Sequence, residues 1–280
     1  MGNLYGTFPV TLDVFGNATQ GARDYQEDSF EICTDMSNAR DVCLAIVCDG
    51  MGGHNGGALA SRTATKVFAN TFIKQQCDAN EALQTSLHAA HQALIEQVEQ
   101  RLAPSDMGTT LVAACISHDS LYWISVGDSH LYHYRGGQLN KLNADHSMAP
   151  VLDELCAVGR ISEEEALSDP QRNSIRSCLS ASAINLIDTG TREQFLQPGD
   201  KLLFASDGLD TLPPHKIAAL FKSHKHASAH IIADALLNKI KEVNRPGQDN
   251  TAVIVITVDA KHSGILQRVR TWFLGMLSSR

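Results

Sequence analysis

The chain has 280 residues, enough for one large domain or two small ones, and its 43% hydrophobic share supplies a sizeable core. A formal net charge of −8 argues against nucleic acid as the main partner, because gripping a phosphate backbone needs an excess of Lys and Arg. Seven cysteines, an odd number with no C-x-x-C pair, predict reduced thiols in a cytoplasmic protein. Residues 1–11 lack the basic and apolar regions of a secretory leader, and no apolar run approaches the roughly 20 residues of a membrane span.

Residues 11–17 and 29–34 predict strands on either side of a polar turn, 20–28. The apolar run 42–48 stops at Asp49-Gly50 and predicts a buried strand that delivers its last residue to a sheet edge. The stretch from Gly52 to Gly57 is too glycine-rich for regular structure, and helical periodicity follows over 58–75 and 79–102. Residues 109–116, 121–126 and 130–135 predict consecutive antiparallel strands, with Gly136-Gly137 as a hairpin turn. Residues 148–172 interrupt the strand series as a flap, with short helical pieces at 152–158 and 162–168. Strands resume at 186–191 and 201–205, helices at 215–222 and 228–243, and 251–258 is a final β-branched strand. Strand runs broken by helix runs, without strict βαβ alternation, place the chain in the α+β class.

Acidic residues recur where a predicted strand meets a loop. They stand in Arg23-Asp24-Tyr25-Gln26-Glu27-Asp28, in Asp49-Gly50-Met51-Gly52-Gly53, in Gly127-Asp128-Ser129, in Ser206-Asp207-Gly208 and in Asp249-Asn250-Thr251. Glycine beside a carboxylate lets a ligand or another chain segment approach closely. Each motif alone is weak and reads more readily as a turn or a loop cap than as a metal ligand. Taken as a set, converging carboxylates without cationic partners would repel one another, and hard divalent cations with oxygen ligands resolve that repulsion.

Together with Gly108-Thr109-Thr110 and Asp145-His146-Ser147, these motifs span about residues 10–258 and resemble the protein phosphatase 2C family of metal-dependent serine/threonine phosphatases in its bacterial form. The resemblance implies a central antiparallel β-sandwich flanked by helix pairs, a four-layer αββα fold, with the flap beside the active site. It implies a catalytic domain over 1–259 and two to three Mn²⁺ or Mg²⁺ ions. Asp49 would bridge two metals and the Gly50 carbonyl would bind one of them. Asp207 and Asp249 would ligate the other, and Glu27 and Asp28 would hold metal-bound waters or bind directly. Asp128 with Asp207 resembles a weaker third-metal site. Arg23 would grip the substrate phosphate, and a dimetal-activated water would hydrolyse phosphoserine and phosphothreonine. In animal-type members a histidine proposed as general acid follows the metal-binding Asp-Gly, but here that position is Met51, and His54 does not match it.

Other residues carry weaker signals. His88 and His91 lie at i, i+3 on a predicted helix, more in keeping with a polar face than with a metal pair. His224, His226 and His230 belong to a basic, solvated loop and helix start. Ser206 and Ser129 sit in no nucleophile elbow. Residues 260–280 predict a basic amphipathic helix, with Lys261, Arg268, Arg270 and Arg280, no acid after Asp259, and an apolar stripe that includes Trp272 and Phe273. This helix is expected to dock on the body or a partner protein, or to lie on a membrane. Expected partners are phosphoprotein substrates and a cognate Ser/Thr kinase. The competing functions are a phosphatase-shaped regulatory binding module and a metal-dependent hydrolase of small phosphomonoesters.

Overall fold

The computed structural model describes residues 10–35, 42–52, 56–193 and 195–260. The elements in order are β1 Val10–Thr19, β2 Ser29–Asp35, β3 Val42–Cys48, β4 Gly50–Met51, α1 Gly56–Lys74, α2 Ala79–Glu99, β5 Gly108–Thr109, β6 Leu111–Ser117, β7 Ser120–Val126, β8 His130–Arg135 and β9 Gln138–Lys141. There follow α3 Ala149–Ala157, α4 Glu163–Ser168, β10 Leu179–Ser180, β11 Asp188–Arg192, β12 Lys201–Ala205, a 3-10 turn Asp207–Thr211, α5 Pro214–Ser223, α6 Ala229–Val243 and β13 Thr251–Ala260. One sheet runs β1-β13-β12-β8-β9, a second runs β11-β7-β6-β3-β2, and a small ribbon runs β10-β5-β4.

Side-chain alternation dictates how these layers stack. In β3, Cys43, Ala45 and Val47 point into the core between the sheets, whereas Leu44, Ile46 and Cys48 point at α1 and α2. In β13, Ala252, Ile254, Ile256 and Val258 face the same inter-sheet core, and Val253 and Val255 face α5 and α6. Strands buried on both faces read as continuous apolar runs rather than alternating ones, as these two do. The result is the expected αββα sandwich, with one helix pair on each outer face.

Local chemistry sets most boundaries. Asp78 caps α2 by accepting the Glu81 N–H at 3.1 Å, and α6 ends on Asn244 at φ 50°. Ser162 and Glu165 close a capping box on α4 inside the flap. Three details differ from the sequence reading. Gly56 and Gly57 open α1 rather than continuing the loop, since Gly57 lies against Gly50, where a side chain would collide. Strand β11 starts at Asp188 rather than 186, because the Leu186 backbone is held by the Ser177 hydroxyl, at 2.8 and 2.9 Å. The ribbon strands β4, β5 and β10 are two residues each, too short for any periodicity to register. The proposed tail helix, 260–280, lies outside the described residues apart from Ala260, which ends β13.

Candidate metal centre

Strand register brings the acidic motifs to one end of the sandwich. Ser29 pairs with Cys48, so Asp28 and Asp49 leave neighbouring strands side by side. Ala205 pairs with both His130 and Val253, which brings Asp207, Asp128 and the Asp249 loop to the same end. Thr19 pairs with Thr251 and carries the Arg23 turn there as well.

Each carboxylate is held by its own neighbours. The Asp49 N–H donates to Thr110 Oγ1 at 3.0 Å, and its carbonyl accepts from the Thr110 N–H and the Thr109 hydroxyl, both at 2.8 Å. Ser206 donates to Asp28 Oδ2 at 2.6 Å and accepts the Ala252 N–H at 2.9 Å. Asn250 joins three segments: its Oδ1 accepts the Glu27 N–H at 2.7 Å and its Nδ2 donates to the carbonyls of Gln20 and Tyr25. The Asp145-His146-Ser147 motif is structural at this range. His146 Nδ1 accepts the Gly127 N–H at 3.2 Å, and the His146 N–H donates back to the Gly127 carbonyl, pinning the turn that presents Asp128. Arg23 reaches across the mouth and pairs with Asp249 Oδ2 at 2.5 Å, with both side chains partly exposed.

The electrostatics are those of crowded anions. Burial, aided by Asp207 and Asp249 and opposed by the Ser206 hydrogen bond, pushes the Asp28 carboxyl up to about 7. Burial and then Asp28 and Asp207 hold Asp49 well above the usual carboxylate range. Burial, with Asp249 and Asp210 nearby, raises Asp207 as well. Burial and Asp207 raise Asp128 to about 6, and burial also raises Glu27. Among the described residues, no three Asp, Glu, His or Cys side chains converge on one point as preformed ligands. The donor set nonetheless fits hard divalent cations. Glu27 Oε1, Asp128 Oδ1 and Asp207 Oδ1 are buried oxygens with no hydrogen-bond partner, a costly state that a cation relieves.

A cavity of about 390 Å³ opens beside this cluster, between Asp128, Asp207 and Asp249 on one wall and the flap on the other. Sequence reasoning missed four of its charged or titratable residues. Arg172 comes from the flap and is paired with Asp153 at 2.8 Å, and Arg245 comes from the loop before β13. His130 is buried and bonds Asp210 Oδ1 through Nε2 at 2.9 Å. His130 directly follows the Asp128-Ser129 motif and Asp210 closely follows Asp207, but nothing in their spacing announces that they meet. Of the histidines weighed in the sequence, His91 bonds the Ser182 carbonyl at 2.7 Å, and His230 pairs with Asp234 at 3.1 Å and packs on Phe15. Met51 is the second residue of β4, and His54 lies outside the described residues.

A two-sheet sandwich with paired helices outside and buried, unpartnered carboxylates at one end defines a metal-dependent hydrolase. The profile of the protein phosphatase 2C family matches residues 16–239. The serine/threonine phosphatase stp of Listeria monocytogenes is 28% identical over 248 residues, covering 86% of this chain and 94% of that protein. The crystal structure of the Mycobacterium tuberculosis serine/threonine phosphatase PstP/Ppp superposes with a TM-score of 0.74 at 29% identity, covering 90% of this chain and 100% of that one. The PstP catalytic domain in complex with two manganese ions superposes at 0.71 with 27% identity, covering 89% of this chain and 99% of that one. The chain belongs to the protein phosphatase 2C family. It is a divalent-metal-dependent protein-serine/threonine phosphatase of the kind found widely in bacteria.

Proposed function

We propose that this phosphatase uses two to three Mn²⁺ or Mg²⁺ ions, with Asp49 and the Gly50 carbonyl, Asp207 and Asp249 as the principal ligands. Glu27 and Asp28 complete the set, and Asp128 with Asp207 holds a further, weaker ion. When bound, such ions supply a water acidic enough to act as nucleophile near neutral pH and positive charge for the phosphoryl oxygens. The observation that carries this reading is the set of buried, unpartnered oxygens on Glu27, Asp128 and Asp207.

The chain's own groups do the rest. Thr109 and Thr110 fix the Asp49 backbone, so the carboxylate enters the site without searching. Ser206 orients Asp28, and Asn250 locks the Glu27 and Asp249 loops together. Arg23 has the planar fork that matches two phosphate oxygens, and substrate phosphate competes with Asp249 for it. Met51 has no proton to donate, so the residue after Asp49-Gly50 takes no part in protonating the leaving alkoxide. The physiological substrates are phosphoproteins made by a cognate Ser/Thr kinase in the cytoplasm. All seven cysteines are unbridged, which supports a reducing compartment.

The deciding experiment is p-nitrophenyl phosphate hydrolysis with and without Mn²⁺, beside Asp49→Ala and Asp207→Asn. Each substitution is expected to cost about 10²-fold or more in rate while circular dichroism stays native. Undiminished activity in EDTA, or in both variants, overturns the assignment. Phosphoserine, phosphothreonine and phosphotyrosine peptides then separate protein substrates from small phosphoesters.

A further inference from the structure

Gln248 directly precedes Asp249 and is buried, at 8% exposure, although its loop lines the cavity beside the metal centre. A buried carboxamide carries two N–H donors and an accepting oxygen, and each costs stability if left unmatched. Here the match comes largely from the turn that carries Asp207. The Thr211 hydroxyl donates to Gln248 Oε1 at 2.5 Å. Gln248 Nε2 donates to the Gly208 carbonyl at 3.1 Å and to the Asp249 carbonyl at 3.2 Å. Carbonyl oxygens only accept, so the Nε2 end has to face them and the amide has one orientation.

We propose that Gln248 is a positioning residue of the metal centre: its side chain clamps the Asp207 turn to the Asp249 loop and so sets how the two carboxylates stand to each other. This role rests on the reading of Asp207 and Asp249 as metal ligands.

The clamp acts where the sheet no longer does. Ladder pairing between β12 and β13 ends at Ala205 and Val253, and the Ser206 N–H adds one bond to the Ala252 carbonyl. Past that point the chain enters the 3-10 turn Asp207–Thr211 on one side, and Asp249 stands on the loop before β13 on the other. The two meet as backbone against backbone, since a Cβ on Gly208 would lie 2.0 Å from the Asn250 carbonyl oxygen. The amide bonds of Gln248 fall across that contact. Asp207 Oδ1 is buried with no hydrogen-bond partner, so the position of this oxygen follows the turn that carries it.

The main chain of the same residue reaches a third segment. The Gln248 carbonyl accepts the Ala22 N–H at 2.8 Å, next to Arg23, and Arg23 pairs with Asp249. The Gln248 N–H donates to the Arg245 carbonyl at 3.1 Å, which folds the loop back on itself. Gln248 thus bonds the segments of Arg23, Asp207 and Asp249 together. Groups that hold ligands in place typically change metal affinity by about 10- to 100-fold when removed.

The test compares Gln248→Met, which keeps the length and removes every amide bond, with Thr211→Val, a milder change that removes only the donor to Oε1. Mn²⁺ affinity is read without substrate, from the electron paramagnetic resonance signal of free Mn²⁺. Gln248→Met is expected to raise the dissociation constant of at least one ion about tenfold, and Thr211→Val to raise it by less. Asp200→Asn, before β12 at the end of that strand away from Asp207, controls for lost stability. It is expected to lower the melting midpoint in EDTA and leave the Mn²⁺ dissociation constants at the native values. A merely structural Gln248 would behave as this control does, and that result in both Gln248→Met and Thr211→Val overturns the proposal. Should Gln248→Met not fold, Thr211→Val alone decides. Asp207→Asn and Asp249→Asn in the same titration separate the clamp from the ligand assignment. Native Mn²⁺ affinity in those two variants overturns the ligand assignment and the clamp with it. Weakened affinity there, with native affinity in Gln248→Met and Thr211→Val, overturns the clamp alone.

Discussion

The Ser206 hydroxyl donates to Asp28 and accepts the Ala252 N–H, and the residue is fully buried. Ser206→Ala therefore strands a backbone donor and removes the bond that restrains the Asp28 proton affinity. We expect a stability loss of about 1–3 kcal/mol. We also expect a higher Mn²⁺ requirement near pH 7 that narrows by about pH 8.5, because protons compete with the cation for Asp28. Manganese titrations of activity at both pH values check this, and a requirement unchanged at pH 7, or raised equally at both pH values, refutes it. The sequence flagged Ser206 only as a neighbour of Asp207. Its partner, Asp28, is 178 positions away, and no local pattern encodes that distance.

At the scale of elements, the β4 ribbon and the start of α1 are held together by close backbone approach. A Cβ on Gly50 would collide with the Gly57 carbonyl and stand 2.6 Å from the Glu27 carbonyl oxygen. Gly50→Ala must displace one of the three. About a 10²-fold loss of activity is expected from a shift of roughly an ångström. Gly136→Ala is the control: its φ of 60° is strained for alanine, but nothing lies within 4 Å of the added carbon. It should cost some stability, seen in thermal melts, and leave kcat unchanged. Equal kinetic effects in the two variants would rule out close approach as the cause. The glycines were visible in the sequence as a run, but which of them face each other was not.

Across the whole molecule, two groups of carboxylates respond to pH in opposite directions. At the metal end Asp28 and Asp128 are raised to about 7 and about 6, and Asp49, Asp207 and Glu27 are also raised. Between about pH 4 and pH 7 the folded protein thus binds more protons than the unfolded chain, so metal-free stability falls as pH rises through that window. Thermal melts in EDTA should fall from about pH 5 to pH 8, and Mn²⁺ at the upper pH should raise the midpoint again. A flat or rising EDTA profile contradicts this. At the far end burial pushes Asp200 up, but bonds from Arg135 and His133 overcome it and bring it down to about 2. Its stabilisation is complete above the ordinary range near 4 and is lost as pH falls through about 2. Asp200→Asn should cost about 3 kcal/mol, the low end for a buried pair because Arg135 is about one-third exposed, and should leave activity per folded molecule unchanged. Urea unfolding with an activity assay on the same sample tests both halves.

The sequence by itself determined the layers and the list of candidate ligands. The apolar runs of β3 and β13 have to be buried on both faces, and five acidic motifs at strand ends, taken as a set, call for cations. It also determined that Met51 cannot act as a proton donor. Only the tertiary structure decided which groups meet: Ser206 with Asp28, Asn250 with the Glu27 loop, His130 with Asp210, and Arg23 with Asp249. Each of these contacts joins segments distant in the chain, and register across two sheets, rather than any local preference, brings them together. The cavity beside the metal centre arises the same way, from surfaces that become neighbours only once the layers have packed.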